Sequence, residues 1–227
     1  MDKAFLETLK LTFGLASITT ALLFLLGVPL AYRLAKSRSR LKPVWETLVS
    51  LPLVLPPSVL GFYLLLVFSP QSAAGAWLLQ HLGLRLVFSF PGLVLGSILY
   101  SLPFMVQPVQ AGFERLSPRL TEAAYTMNKS RFTTFLRVEL PNIRPALLTG
   151  AVLSFAHTVG EFGVILMIGG NIPGETRVAS IAVYEAVESL NYQTANRYAL
   201  VLVVFSFLVL VGVYGINRRW RREGGEG

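Results

Sequence analysis

Long runs without charge dominate the pattern of this chain. Four such runs are each about as long as a helix that crosses the hydrocarbon core, roughly 20 residues. They cover residues 11–32, 47–68, 86–113 and 198–217. A fifth apolar stretch, 145–170, contains one carboxylate, Glu161, and one imidazole, His157. Because backbone groups in lipid must be satisfied internally and no barrel-type alternation is present, the runs predict helices.

The pattern therefore predicts an all-α membrane protein. We expect a polytopic bundle of about five transmembrane helices, formed by a single transmembrane domain over residues 1–227. Composition agrees, since 53% of the residues are hydrophobic and only 14% are charged, whereas a soluble domain has about one quarter charged. Five such stretches in a chain of this length argue strongly against a bundle of buried soluble helices.

Cysteine and histidine usage limits the chemistry. The chain has no cysteine and two histidines, which removes disulfides, thiolate metal sites and cysteine nucleophiles together. We expect no metal site and no catalytic residues. An intramembrane enzyme would need converging catalytic groups, and only Glu161 and His157 lie within the apolar stretches.

Positive charge is distributed by side. Of the 20 Lys and Arg residues, 15 lie in the first loop, in the third loop and in the C-terminal tail. The positive-inside rule then places the N-terminus outside and the C-terminus in the cytoplasm of a multi-pass protein of the cell membrane. The net charge of +8 reflects this topology, so the expected partner is the lipid bilayer and not nucleic acid.

The second stretch is interrupted by prolines. Pro52, Pro56 and Pro57 lie inside it, and each removes a backbone donor, so the helix should break there. Broken backbone at membrane depth survives only when it is buried in protein or lines a cavity. The cluster favours a transport fold over a structural anchor.

The third loop, residues 114–145, predicts a helix-turn-helix at the cytoplasmic face. A short helix should stop at Asn128, because asparagine tolerates the left-handed conformation best after glycine. A second helical stretch, 131–138, should follow. We expect Leu140-Pro141 to break the chain before the next span.

This loop resembles the EAA loop of binding-protein-dependent ABC-transporter permeases. That pattern is Glu-Ala-Ala, three residues, Gly, nine residues, Ile, any residue and Leu-Pro. The matching residues are Glu122, Ala123, Ala124, Asn128 in place of Gly, Val138 in place of Ile, Leu140 and Pro141. The resemblance implies the type I importer permease fold and a loop that is the coupling helix for an ATPase.

Two further segments resemble the molybdate-type permeases. One is the proline segment 51–57; the other contains Gly160, Glu161 and Gly163 and is followed by 170–177. The resemblance implies an ATP-driven importer for molybdate, or for tungstate. Sulfate and thiosulfate permeases have a related Gly-Glu-aromatic-Gly motif and remain an alternative. A channel or structural subunit that works without ATP is the alternative from another class, but it leaves the loop unexplained.

The resemblance also implies partners. No phosphate-binding loop of the Gly-x-x-x-x-Gly-Lys type occurs in the chain, so ATP and Mg should be bound by a separate ATPase subunit and no cofactor by this chain. The chain is thus expected to be a transporter subunit and not an enzyme. A homodimer and an extracytoplasmic oxyanion-binding protein are implied by the family.

Candidate residues for the translocation path, called path residues below, follow from the chemistry of an oxyanion, which favours hydroxyls and exposed amides. The candidates are Ser58, Ser154, Thr158 and Asn171. Glu161 should be a structural acceptor, since a carboxylate repels a dianion. The spacing of four residues places His157 and Glu161 on one helix face.

Overall fold

In the computed structural model, which describes residues 3–223, all regular elements are helical. Residues 1–2 and 224–227 lie outside the described range. Both ends belong to the predicted domain, and 224–227 include the C-terminus that was predicted to be cytoplasmic. The helices are α1 Lys3–Lys36, α2 Lys42–Val54, α3 Pro57–Phe68, α4 Ala73–Leu82, α5 Phe90–Glu114, α6 Pro118–Thr126, α7 Arg131–Thr134, a π-helical turn Phe135–Glu139, α8 Leu140–Asn142, α9 Arg144–Gly160, α10 Gly163–Gly169, α11 Ala179–Glu188 and α12 Tyr192–Glu223.

Three helices, α1, α5 and α12, are each long and apolar enough to cross a membrane. Two pairs of consecutive helices, α2 with α3 and α9 with α10, are also long and apolar enough when each pair is counted as one bent span. The axes of α2 and α3 differ by 109°, and those of α9 and α10 by 60°. With each pair counted as one span, the described residues agree with the five predicted crossings.

The bent pair α2–α3 runs the length of α5. Gln110, near the Glu114 end of α5, donates to Glu46 on α2 at 2.6 Å. Gly96, near the other end of α5, lies beside Leu64 on α3. We call the Glu114 side of the bundle the loop face and the opposite side the far face. The two half-helices together therefore connect the two faces.

The core lies where α1, α5 and α9 pack together. Leu23, Met105 and Val109 are fully buried in its loop-face half, and Leu15, Leu93 and Ile165 in its far-face half. The outer surface of α12 stays exposed, with Leu200, Val203, Phe207 and Val211 each more than half exposed. Such an apolar stripe is what a membrane helix offers to lipid or to another membrane subunit.

Some boundaries differ from those predicted. Helix α1 starts at Lys3 and not at residue 11, and α12 starts at Tyr192 and not at residue 198, because absence of charge marks the hydrocarbon core and not the helix ends. The break predicted before the next span is present, but it lies at Ile143 and not at Leu140-Pro141. Residues Leu140–Asn142 are helical, since proline is tolerated in a first helical turn, and the chain turns at Ile143 (φ −106°, ψ 17°).

Candidate functional site

The two broken spans meet inside the bundle. The chain between α2 and α3 turns at Leu55 and Pro56, and the chain between α9 and α10 turns at Glu161 and Phe162. At their meeting point Gly163 is packed so closely that a Cβ atom there would lie 2.6 Å from the Cβ of Pro57. The contact depends on this glycine having no side chain.

A cavity of about 610 Å³ opens beside this contact. Its lining includes Pro57, Ser58, Tyr100, His157, Gly160, Glu161 and Gly163. The predicted break at the prolines and the second break at Glu161 thus contribute to one space, as expected for irregular backbone at membrane depth.

Local chemistry explains the first break. Leu55 has φ −71° and ψ 135°, the extended conformation that a following proline favours. Pro56 is also extended, and Pro57 begins α3, where its missing N–H would have had no partner. Pro52 is buried within α2, one turn before the break.

The second break is closed by Glu161. Its backbone is extended (φ −68°, ψ 136°), and its Oε1 accepts a hydrogen bond from the backbone N–H of Val164 at 2.9 Å. Its carbonyl oxygen accepts from the hydroxyl of Ser180 at 2.6 Å. Glu161 is only 4% exposed. Its carboxylate accepts from an amide in the first turn of α10, and its backbone carbonyl connects the break to α11.

His157 and Glu161, which the four-residue spacing predicted to share a face, line the same cavity. Helix α9 ends at Gly160, and the chain changes direction after Glu161. His157 hydrogen-bonds the hydroxyl of Ser101 at 2.9 Å and stacks on Phe104. The acceptor role of Glu161 toward a nearby amide agrees with the sequence-based interpretation.

The four candidate path residues are not brought together. Ser58 lines the cavity. Ser154 and Thr158 are buried between α9 and α5, where Thr158 Oγ1 lies 3.1 Å from the hydroxyl of Ser101. Asn171 accepts from the guanidinium of Arg177 at 2.6 Å, outside the cavity. The sequence did not identify Tyr100 as a residue of the cavity lining. The one signal for it was a polar ring within an apolar span.

The loop between α5 and α9 is the second candidate element. Asn128 has φ +57°, so the predicted left-handed turn is confirmed. The turn is closed by backbone hydrogen bonds from Asn128 to Tyr125 and from Lys129 to Ala124. Ser130 then accepts from the N–H of Thr133 and caps the next helix.

The loop exposes several apolar side chains. Glu122 and Ala123 are exposed and Ala124 is buried. The exposed apolar residues near them in the sequence are Leu120, Tyr125, Met127, Phe132 and Leu136. Met127 and Phe132 are 70% and 71% exposed. Apolar side chains that are exposed outside a membrane span are suited to a protein contact. Behind it, Phe135 and Leu140 pack against the loop-face core, and Pro141 is half-buried.

A polar network joins α2 to α5 at the loop face. Lys42 and Glu114 form an ion pair of 2.9 Å, and Gln110 donates to Glu114 at 3.0 Å. This pair fixes the start of the broken span to the end of α5.

A helical membrane bundle, with two broken spans around a cavity and an exposed apolar loop, has the architecture of a transport permease. Residues 24–222 match the family of the binding-protein-dependent transport system inner membrane component, and the chain belongs to this family.

Curated relatives agree with this family, and a solved structure has a similar fold. The molybdenum transport system permease protein ModB of Azotobacter vinelandii is 50% identical over 94% of both chains. The sulfate transport system permease protein CysT of Escherichia coli is 31% identical over 94% of this chain and 77% of CysT. A bacterial ABC transporter that imports the acidic polysaccharide alginate has a chain with a TM-score of 0.79 at 18% identity, covering 96% of this chain and 80% of that chain.

Substitution of Asn128 tests the turn. We expect Asn128→Gly to keep transport, because glycine adopts positive φ without strain. Asn128→Val should lower transport strongly, because the left-handed conformation costs a side-chain-bearing residue about 1–2 kcal/mol and more when it is β-branched. Uptake at equal expression compares the variants. Equal uptake by both would show that coupling does not depend on this turn.

Proposed function

We propose that this chain is the membrane permease subunit of an ATP-driven importer for molybdate, with tungstate as a second substrate. The observation that carries the proposal is the 50% identity to a molybdenum transport permease over 94% of both chains. The proline segment and the segment from Gly160 to Gly163, which resembled molybdate permeases, form the same cavity.

Sulfate import is the second candidate. It is favoured by the 31% identity to a sulfate transport permease. Molybdate and sulfate are both tetrahedral dianions, so the same donors could serve either of them. Competition between the two oxyanions distinguishes the candidates.

The cavity supplies donors suited to such a substrate. The hydroxyl of Ser58 stands at the start of α3, whose N-terminal amides favour an anion. The carboxylate of Glu161 is engaged with Val164 and remains a structural acceptor in this proposal. A path through this point would use Ser58 directly. Thr158 and Asn171 are engaged elsewhere, and Ser154 is fully buried, so each of them would act only after rearrangement.

Three partners complete the proposed transporter. The apolar surface of the loop is suited to docking an ATPase subunit that binds ATP and Mg, and this chain itself would have no ATPase activity. A second copy would form the other half of a homodimer. An extracytoplasmic oxyanion-binding protein would deliver substrate; one related transporter structure has a substrate-bound periplasmic protein in its complex.

Stimulation of ATP hydrolysis tests the proposed substrate. The permease is purified with its ATPase subunit, and the rate is measured with binding protein loaded with molybdate, tungstate or sulfate. We expect molybdate and tungstate to stimulate hydrolysis and sulfate to have little effect. Stimulation by sulfate alone would favour the second candidate.

The proposed orientation, with α6 in the cytoplasm, predicts sided labelling. Because the chain has no cysteine, single cysteines can be introduced without background. An impermeant maleimide added to intact cells should label Gln71→Cys and Gln193→Cys but not Ser39→Cys or Ser130→Cys. All four should react after permeabilisation. Labelling of position 130 from outside would contradict the orientation.

A further inference from the structure

One buried carboxylate of the loop lies outside the cavity and outside the exposed docking surface. Glu139 is 2% exposed, although it belongs to the loop between two spans. Its Oε1 lies 2.9 Å from the ammonium of Lys36, the last residue of α1. The hydroxyl of Thr121 on α6 donates to the same oxygen at 3.3 Å.

A single oxygen atom therefore joins three elements. Thr121 immediately precedes the Glu122-Ala123-Ala124 segment, so the contact lies at the start of the proposed docking helix. Lys36 ends a helix that crosses the whole bundle, and the backbone N–H of Ala179 donates to Thr12 near the other end of α1. Helix α6 is thus joined through Glu139 to the end of α1, a helix that spans the bundle.

The surrounding packing makes this connection stiff. The ring of Phe135, one helical turn before Glu139, lies 4.8 Å from the ring of Tyr32 and 6.0 Å from that of Phe113. Residues Phe135–Glu139 form a π-helical turn, a distortion that is frequent at functional positions. The turn brings the Glu139 carboxylate to Lys36 while Phe135 stays in the aromatic group.

We propose that Glu139 is a positioning residue for transport: its contacts with Lys36 and Thr121, which we call the α1 latch, transmit the motion of α6 to α1. The proposal rests on the ABC-importer function proposed above. A buried charge with one ionic partner is a weak source of stability but a good device for fixing a single geometry. Without the α1 latch, α6 would still dock on the ATPase, but its movement would deform the loop and would not move α1.

A cysteine in the cavity reports this motion without any oxyanion. Ala156 lines the cavity, and Ala156→Cys is the reporter in the complex with the ATPase subunit. The measured quantity is the ratio of its alkylation rates with ATP plus vanadate and without nucleotide. Variants to combine with it are Glu139→Gln, Lys36→Met and the conservative Lys36→Arg. Lys42→Met is the matched control, because it breaks an ion pair of equal length between two spans at the same face.

We expect Glu139→Gln and Lys36→Met to bind the ATPase and hydrolyse ATP, with the nucleotide-dependent change in alkylation reduced about tenfold. Lys36→Arg and Lys42→Met should keep that change. The proposal is overturned if Glu139→Gln keeps the full change, or if both Glu139→Gln and Lys36→Met fail to bind the ATPase, which would show a role in assembly alone. A normal change in the parent reporter without molybdate uptake would contradict the proposed substrate and leave the α1 latch standing.

Discussion

Gly163→Ala is expected to abolish uptake, whereas Gly160→Ala is expected to keep it. A Cβ at position 163 would lie 2.6 Å from the Cβ of Pro57 and 3.3 Å from the backbone nitrogen of Ser58, so α3 and α10 would have to separate at the cavity. Overpacking of this kind costs about 1–3 kcal/mol, and the shift falls on the proposed path. No atom lies within 4 Å of a Cβ built at Gly160.

The two alanine variants are compared at equal amounts of assembled complex. Oxyanion uptake and the ratio of permease to ATPase are measured together. Gly160→Ala should match the parent in both, because alanine favours a helix more than glycine does. Normal uptake by Gly163→Ala would show that the contact between the two breaks is not needed for transport.

Glu161→Leu is expected to lose assembly, and Glu161→Gln to retain it together with measurable uptake. Glutamine keeps the size and one acceptor oxygen for the N–H of Val164. Leucine leaves that buried donor without a partner, at a cost of about 1–3 kcal/mol. Each variant complex is purified, and the subunit ratio is measured beside uptake. A fully assembled Glu161→Leu complex without uptake would contradict the structural role and favour one in substrate passage.

The features that sequence predicted best are those with local causes. The turn at Asn128 follows from the conformational preference of one residue, and the break after Leu55 follows from two consecutive prolines. The number of spans follows from the absence of charge over about 20 residues. None of these requires knowledge of the tertiary structure.

The features that sequence missed depend on contacts between distant parts of the chain. The ion pair between Lys36 and Glu139 joins the end of α1 to the third loop, and periodicity does not reveal such a pair. Sequence also did not reveal that Ser154 and Thr158 are buried, because their burial depends on packing between helices that are distant in the chain. The break after Gly160 was also missed, because the segment through Glu161 was interpreted as continuous helix.

Uptake into sealed vesicles tests the central claim most directly. The permease and its ATPase subunit are reconstituted into proteoliposomes with ATP inside and molybdate-loaded binding protein outside. We predict accumulation of labelled molybdate that requires ATP, is inhibited by excess tungstate and is little affected by excess sulfate. Accumulation that proceeds without ATP, or none with molybdate beside rapid ATP-dependent accumulation of sulfate, would contradict the account.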